Sequence, residues 1–191
     1  MSDHKLTYFP LSARGFVTRV CMRASGQAFE DNRLDFAAWG TLKATGYGPL
    51  GQLPVLEVDG KQFCQSIPLS AYAAKLAGLY PTDPLAALKV EEVVAILDEA
   101  WNKIGATSKD KPETREAYGN EVAPKYLKAL VTRLGEGPFF HGATPGWADL
   151  WVYVFVTFFT SGFFDHVPTD FVTKAAPALN ELVQRVKDSD L

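Results

Sequence analysis

The strongest structural signal in the sequence is a β-hairpin between residues 55 and 64. Two short runs of strand-forming residues, Val55–Val58 and Lys61–Cys64, are separated by Asp59 and Gly60. An Asp-Gly pair supplies the positive φ angles that a two-residue type I′ turn requires. The sequence therefore predicts a hairpin over these residues.

The residues on either side of this hairpin alternate between strand-like and helix-like patterns. Residues 5–9 and 28–33 are typical of strands, and residues 14–25 and 66–79 are typical of helices. Three glycines and a proline between residues 45 and 51 preclude regular structure there. The resulting order of strand, helix, strand, loop, hairpin and helix predicts an α/β domain over residues 1–79.

We interpret residues 80–84 as a linker, because the pattern is purely helical after them. Asp83 can cap the next helix, and Pro84 suits its first position. Beyond the linker, apolar residues recur at the three- and four-residue spacing of helices, which predicts an all-helical domain over residues 85–191. The longest apolar run, residues 150–159, is much shorter than the roughly 20 residues of a membrane span. It therefore predicts a buried central helix.

The central helix begins near Trp147, with Asp149 in its first turn. A carboxylate there can fold back and accept hydrogen bonds from exposed backbone N–H groups. Gly146 precedes the helix, and glycine is itself an acceptable N-terminal cap. We therefore expect a structural role for Asp149.

Charge and cysteine content exclude several classes of function. The formal net charge of −3 offers no extended basic surface, which argues against nucleic acid or a membrane as the main partner. Cys21 and Cys64 do not form a Cys-x-x-Cys pair, which fits a reducing cytoplasm and argues against dithiol redox chemistry. His4, His141 and His166 are scattered, without other ligands at metal-binding spacing, so no metal site is expected. The first residues also lack the apolar core of a signal peptide.

Several short motifs gain meaning from their order along the chain. They are Lys-Leu-Thr-Tyr-Phe-Pro at residues 5–10, Phe-Glu-Asp-Asn-Arg at 29–33, Gly-Gln-Leu-Pro-Val-Leu at 51–56, Gln-Ser at 65–66, Trp-Ala-Asp at 147–149 and Ser-Gly-Phe-Phe-Asp at 161–165. In this order they resemble the cytosolic glutathione transferases, most closely the sigma class, which includes the haematopoietic prostaglandin D synthases. The resemblance implies a thioredoxin-like N-terminal domain with a mixed four-stranded sheet, followed by an all-helical C-terminal domain. It also implies a cytoplasmic homodimer that conjugates glutathione, its co-substrate, to hydrophobic electrophiles in detoxification.

Tyr8 is the candidate catalytic residue. A free thiol has a pKa of about 8.5, so the thiol of glutathione is mostly protonated at neutral pH and a poor nucleophile. A hydroxyl that donates to the sulfur stabilises only the thiolate, and such a bond is worth roughly 1.5–3 kcal/mol. It can therefore lower the thiol pKa by roughly one to two units. The resemblance implies that Tyr8, at the end of the first strand, supplies this hydroxyl, whereas a lone tyrosine there would usually be a core residue.

The resemblance also implies how the middle of glutathione and its γ-glutamyl end are held. The Leu53–Pro54 peptide bond is expected to be cis, and the Leu53 backbone to pair with the cysteinyl backbone of glutathione. Gln65 and Ser66 stand where the last strand becomes a helix. The free N–H groups and positive dipole end of a helix N-terminus suit a carboxylate, and the resemblance assigns the γ-glutamyl carboxylate to this site.

The glycyl end of glutathione is assigned to a short helical segment. Trp39 and Lys43 are four residues apart and therefore share a face, from which an indole N–H and an ammonium can hold a carboxylate. A packed tryptophan and a solvated lysine are the alternative. The full set of glutathione-binding residues implied by the resemblance is Tyr8, Arg14, Trp39, Lys43, Gln52, Leu53, Pro54, Gln65 and Ser66.

Two further groups of residues are implied. An acidic residue on the first helix after the linker, Glu99 or Asp98, would reach the glutathione amine of the neighbouring subunit, and a solvated acidic face is the alternative. A second-substrate pocket between the domains would be lined by Phe9, Arg14, Trp101 and Trp151. The alternative is that both tryptophans belong to the core.

Two other functions are compatible with the same motifs. A glutathione-dependent isomerase of the prostaglandin D synthase type would share every glutathione-binding residue and differ only in the second pocket. A non-catalytic protein of this fold, such as a crystallin or a ligand carrier, would often lack the activating hydroxyl. The presence of Tyr8 favours an enzyme.

Overall fold

The computed structural model describes residues 3–191 and separates them into two units, the first ending at Tyr80 and the second beginning at Pro81. The described part of the first unit contains, in order, β1 (His4–Tyr8), α1 (Arg14–Ala24), β2 (Glu30–Arg33), α2 (Phe36–Ala44), β3 (Val55–Val58), β4 (Lys61–Cys64) and α3 (Ser66–Leu76). The mixed α/β pattern predicted for this part of the chain is confirmed.

The four strands form one mixed sheet in the order β2-β1-β3-β4. β1 runs parallel to β2 and antiparallel to β3, and β3 and β4 form the predicted hairpin. At its turn, Asp59 and Gly60 have φ angles of 50° and 77°, as the Asp-Gly signal requires. The predicted four-stranded sheet and its hairpin are therefore confirmed.

The two faces of β1 have different environments because successive side chains of a strand point to opposite sides. Leu6 packs with its cross-strand partner Leu56 and with Leu69 of α3 in the core of the unit. Thr7, on the other face, lies with its Oγ1 2.7 Å from the hydroxyl of Tyr47. That hydroxyl donates to Glu57 Oε1 at 2.7 Å, so the irregular segment after α2 is fixed to the sheet.

The described part of the second unit is helical throughout its regular structure, as predicted. Its α-helices are α4 (Pro84–Lys103), α5 (Pro112–Ala117), α6 (Ala123–Leu134), α7 (Trp147–Thr160), α8 (Phe171–Ala175) and α9 (Pro177–Lys187). The Asp83 side chain accepts a hydrogen bond of 2.8 Å from the Ala86 N–H, which confirms the predicted cap of α4. Within residues 3–191, none of the helices combines the length and the apolar character that crossing a membrane demands.

Asp149 closes the N-terminus of the central helix α7. Its carboxylate accepts hydrogen bonds from the Gly146 N–H at 2.8 Å and from the Phe140 N–H at 2.9 Å, as its expected structural role requires. The side chain has no exposed surface. Burial raises the pKa of Asp149 to about 6, although the backbone hydrogen bonds act in the opposite direction.

This raised pKa gives a prediction for stability against pH. The folded state holds the Asp149 proton up to a pKa of about 6, whereas the unfolded chain releases it near 3.8. The contribution of Asp149 to the free energy of unfolding is therefore greatest below pH 4 and falls, by at most about 3 kcal/mol, as the pH rises to 6. Asp149→Asn should remove this pH dependence and should also destabilise the protein, by about 1–3 kcal/mol, because an amide NH₂ cannot accept from a backbone N–H.

Urea unfolding of the wild type and the variant between pH 4 and pH 7 measures both effects. Asp188→Asn is the matched control, because Asp188 is an exposed carboxylate at the end of α9. Parallel pH profiles for the wild type and Asp149→Asn would contradict the assignment.

Candidate active site

Tyr8 lies at the end of β1 with its ring directly on the backbone of α1. A Cβ atom placed on Gly15 would lie 2.5 Å from the Tyr8 ring carbons Cγ and Cδ1, closer than real Cβ contacts. The Tyr8 carbonyl accepts a hydrogen bond of 3.1 Å from the Leu34 N–H, which fixes the backbone at the end of the strand. The residue is only 6% exposed. Glycine at position 15 is therefore what allows the ring to lie where it does.

The Tyr8 hydroxyl is surrounded by groups that favour negative charge. Burial raises the pKa of the Tyr8 hydroxyl, so at neutral pH it keeps its proton and can donate it to an anion. The Gly15 backbone N–H donates to the hydroxyl oxygen, and the positive charges of Arg14 and Arg19 act in the same sense, against the effect of burial. A neutral hydroxyl in the positive field of Arg14 and Arg19 is well suited to stabilising an anionic sulfur.

Arg19 of α1 is buried and forms an ion pair with the partly exposed Asp31 of β2, which the sequence motifs did not reveal. Arg19 is 3% exposed, and its Nε donates to Asp31 Oδ1 at 2.8 Å. Its Nη2 also donates to the carbonyl of Phe9 at 3.4 Å, which ties α1 to the segment after Tyr8. Although burial favours the protonated acid, hydrogen bonds from Arg33 and Arg19 hold the pKa of Asp31 below its usual range. The only sequence signal was an arginine on the buried face of a predicted helix.

The strand register brings three of the predicted site residues into one row. Thr7 pairs with Val55, and Val55 pairs with Cys64. These pairings are antiparallel, so the next position towards this end of the sheet is Tyr8 on β1, Pro54 before β3 and Gln65 after β4, which therefore stand side by side. The Leu53–Pro54 peptide bond is cis, as expected.

Gln65 has an unusual backbone conformation at the start of α3. Its φ and ψ angles are 74° and 114°, in a region that residues other than glycine rarely adopt. The next residue, Ser66, is buried and opens the helix, whose first N–H groups have no partner inside the helix itself. Backbone strain of this kind concentrates at ligand sites, and here it coincides with a helix N-terminus that favours an anion.

Lys43 and Trp39 lie on α2, which begins at the cap residue Asp35. The Asp35 side chain accepts a hydrogen bond of 2.7 Å from the Ala38 N–H. Trp39 is half-buried and Lys43 is exposed in the last turn. The Lys43 Cε lies 3.5 Å from a Cβ placed on Gly51, so its side chain extends over the segment that leads to Gln52 and Leu53.

The acidic residues of α4 make hydrogen bonds within the second unit. Glu99 Oε1 accepts a hydrogen bond of 2.8 Å from the Tyr126 hydroxyl. Asp98 Oδ2 accepts a hydrogen bond of 3.0 Å from Asn102 Nδ2. Glu99 is the more exposed of the two residues.

The two tryptophans assigned to the second pocket are buried in the helical unit. The Trp101 ring stacks on Phe158 with ring centroids 5.4 Å apart, and it meets Phe155 and Phe159 edge-on. Trp151 has no exposed surface. Its position is what the alternative of a core tryptophan predicts.

Phe36 is a further candidate that the sequence analysis missed. It is the first residue of α2 and is 68% exposed, although its ring is apolar. The Phe36 ring centroid lies 4.7 Å from that of Phe9, which in turn lies 5.6 Å from that of Tyr8. A row of three rings thus leads from the candidate catalytic hydroxyl to solvent. The only sequence signal was a large apolar residue directly after a helix cap.

Comparisons with known proteins indicate the family and the fold of this chain. A family model described as the C-terminal domain of glutathione S-transferase matches residues 98–190. The haematopoietic prostaglandin D synthase of Gallus gallus is 32% identical over 154 residues, covering 79% of this chain and 76% of that protein. A glutathione S-transferase of Anopheles gambiae is 32% identical, covering 100% of this chain and 93% of that protein. A solved structure of prostaglandin synthase D of Nilaparvata lugens superposes with a TM-score of 0.85 at 28% identity, covering 98% of this chain and 94% of that one.

The contact between Gly15 and Tyr8 predicts a position-specific effect of adding one methyl group. Gly15→Ala should destabilise the protein by about 1–3 kcal/mol, because the methyl overlaps the Tyr8 ring and one of them must move. Gly40→Ala is the matched control on α2, where an added Cβ meets nothing within 4 Å. The control should stabilise the protein by about 0.5–1 kcal/mol. Chemical denaturation of both variants measures the difference, and a Gly15→Ala protein as stable as the control would contradict the contact.

Proposed function

Because the chain belongs to the glutathione S-transferase family, we propose that it conjugates the thiolate of glutathione to hydrophobic electrophiles, with the Tyr8 hydroxyl activating the thiol. The observation that carries this proposal is the row formed by Tyr8, Pro54 and Gln65 at one end of the sheet. It combines a buried hydroxyl, a backbone edge and a helix N-terminus, which are the three features that an anionic tripeptide thiol requires.

Tyr8 acts on the sulfur by donating a hydrogen bond. The thiol loses its proton to solvent, and the resulting thiolate accepts the Tyr8 O–H, since burial keeps this hydroxyl protonated at neutral pH. The positive charge of Arg14, at the start of α1, adds to the stabilisation of the anion. The sulfur then forms a bond to the electrophilic carbon, and a leaving group, where there is one, departs with its electron pair.

The rest of glutathione is held by the residues that flank Tyr8. In this proposal the γ-glutamyl carboxylate binds at the N-terminus of α3, where Ser66 adds a hydroxyl and Gln65 is held in its strained conformation. The Leu53 backbone pairs with the cysteinyl backbone. The glycyl carboxylate binds towards the end of α2, to Lys43 and Trp39, with Gln52 beside them.

The second substrate is proposed to contact the row of aromatic rings that starts at Tyr8. Phe9 and Phe36 present an apolar surface that suits a flat hydrophobic electrophile. Arg14 and Trp101 are retained as further candidates for this pocket. Trp151 is a weaker candidate, because its side chain has no exposed surface.

A glutathione-dependent isomerase is the second candidate function. It is supported by a relative that is itself named a prostaglandin D synthase and is as similar to this chain as a relative named a glutathione S-transferase. One pair of assays separates the two candidates: a chlorinated aromatic electrophile tests conjugation, and a prostaglandin endoperoxide tests isomerisation. Turnover of the endoperoxide alone would favour the isomerase.

We further propose that the protein is a homodimer in which Glu99 or Asp98 reaches the glutathione amine of the neighbouring subunit. Glu99 is the better candidate because it is exposed while it is held by Tyr126. Light scattering at micromolar concentration tests the proposal, and a monomer would contradict it.

The role of Tyr8 predicts a specific kinetic effect of removing its hydroxyl. Tyr8→Phe should lower kcat for conjugation by about 10- to 100-fold, because it removes a hydrogen bond of roughly 1.5–3 kcal/mol to the thiolate. The KM for glutathione should change by no more than about twofold, because most of the binding contacts remain. Steady-state kinetics with a chlorinated aromatic substrate gives both values.

Tyr72→Phe is the matched control for this variant. Its hydroxyl lies 2.9 Å from His4 Nε2 and has no part in the proposed chemistry. The control should keep the wild-type kcat. A Tyr8→Phe enzyme with unchanged kcat would overturn the assignment of the catalytic hydroxyl.

The aromatic row predicts a separate effect on the second substrate. Phe36→Ala should raise the KM for an aromatic electrophile by about 3- to 10-fold, because it removes an aromatic contact worth roughly 0.5–1.5 kcal/mol. The KM for glutathione should not change. Phe63→Ala is the control, since Phe63 is also an exposed phenyl group but lies on β4 at the opposite edge of the sheet. Equal values of KM in the two variants would remove Phe36 from the pocket.

A further inference from the structure

A polar cavity in the first unit is lined by residues of α1, by the end of β2 and by the segment before α1. Its volume is about 270 Å³, and residues 10–12 form one wall. Arg19, Arg23 and Arg33 line it together with the apolar residues Phe16 and Val20. We propose that this cavity binds a small organic phosphate monoester. The proposal does not rest on the proposed function, although Arg19 also contributes positive charge at Tyr8.

The three arginines converge because of simple periodicities. On α1, Arg19 and Arg23 are four residues apart and therefore share a face with Phe16 and Val20. On β2, residues 31 and 33 are two apart and point to the same side of the sheet. Helix and strand thus present three cationic groups to the same space.

One carboxylate stands among these three positive charges. Asp31 Oδ1 accepts from Arg19 at 2.8 Å. Asp31 Oδ2 accepts from Nε and Nη2 of Arg33 at 2.9 and 2.8 Å, and from Arg23 only at 3.4 Å. Three cations against one anion leave a surplus of two positive charges, which matches the charge of a phosphate monoester at neutral pH.

The donors that remain are sufficient for such a ligand. Each guanidinium carries five N–H groups, and Asp31 engages one of Arg19, one of Arg23 and two of Arg33. The Arg23 side chain is 62% exposed, so it can turn towards a ligand without giving up a strong contact. Guanidinium groups bind phosphate oxygens through paired N–H groups, which gives them an advantage over a single ammonium.

The walls of the cavity favour an ester over the inorganic ion. Phe16 and Val20 offer an apolar surface beside the arginines, and residues 10–12 close the other side. A cavity of about 270 Å³ is larger than a phosphate group alone requires. A phosphate on a small apolar body therefore matches both the charge and the walls.

The test uses phenyl phosphate as the probe and calorimetry as the measurement, on the full chain in the presence of excess glutathione. Phenyl phosphate should bind with one site per chain and more tightly than inorganic phosphate. Arg23→Gln should weaken binding of phenyl phosphate about 3- to 10-fold and should fold normally, because the residue is exposed and makes one long contact. Arg23→Gln/Arg33→Gln should weaken binding by more than about tenfold.

Arg133→Gln is the matched control, because Arg133 is also an exposed arginine paired with a carboxylate, that of Glu92. It should leave the affinity for phenyl phosphate unchanged. In amide NMR spectra the perturbed residues should be 11, 12, 16–23 and 33. Three results would each overturn the proposal: an affinity that does not depend on Arg23, an inorganic phosphate that binds as tightly as phenyl phosphate, or perturbations that disappear when glutathione is added.

Discussion

The close contact between the Tyr8 ring and the backbone of Gly15 is the constraint on which the candidate site depends. It positions the hydroxyl at the end of β1, beside the Gly15 N–H and the first turn of α1. A hydroxyl in this position remains protonated because it is buried, while the positive charges of Arg14 and Arg19 favour an anion next to it. Packing and electrostatics thus act together, because α1 both covers the Tyr8 ring and carries Arg14 and Arg19.

The ion pair of Arg19 and Asp31 also stabilises this arrangement. Arg19 is buried, and a buried charge is strongly unfavourable without a partner, so Arg19 requires the Asp31 carboxylate. Arg19 also donates to the carbonyl of Phe9 and so connects α1 to the segment between Tyr8 and Arg14. The pair therefore links β2, α1 and the end of β1, which are the elements that define the geometry around the hydroxyl.

Local chemistry made much of the fold predictable from the sequence. Asp59 and Gly60 specify their turn through their own φ angles, and Asp83 caps the helix that follows it. These signals act between close neighbours in the chain, so the hairpin and the start of α4 could be predicted. The mixed four-stranded sheet could be predicted only from the resemblance, and the all-helical domain from the spacing of apolar residues. The short helices α5 and α8 had no distinct signal.

The site was predictable only in part, because several of its features arise from contacts between distant segments. Neither the close approach of Gly15 to Tyr8 nor the pairing of Arg19 with Asp31 follows from spacing along the chain. The exposed ring of Phe36 acquires meaning only when Phe9 is found beside it. The burial of Trp151 likewise depends on how the helices pack, which an apolar run in the sequence does not reveal.

The central claim is that the site stabilises the thiolate of bound glutathione, and titration of that thiol tests it most directly. Ultraviolet absorbance of the thiolate can be followed against pH in the complex of the wild-type protein with glutathione alone, without a second substrate. The account predicts a thiol pKa about one to two units below the value of about 8.5 for a free thiol. A bound thiol that titrates with the same pKa as free glutathione would contradict it.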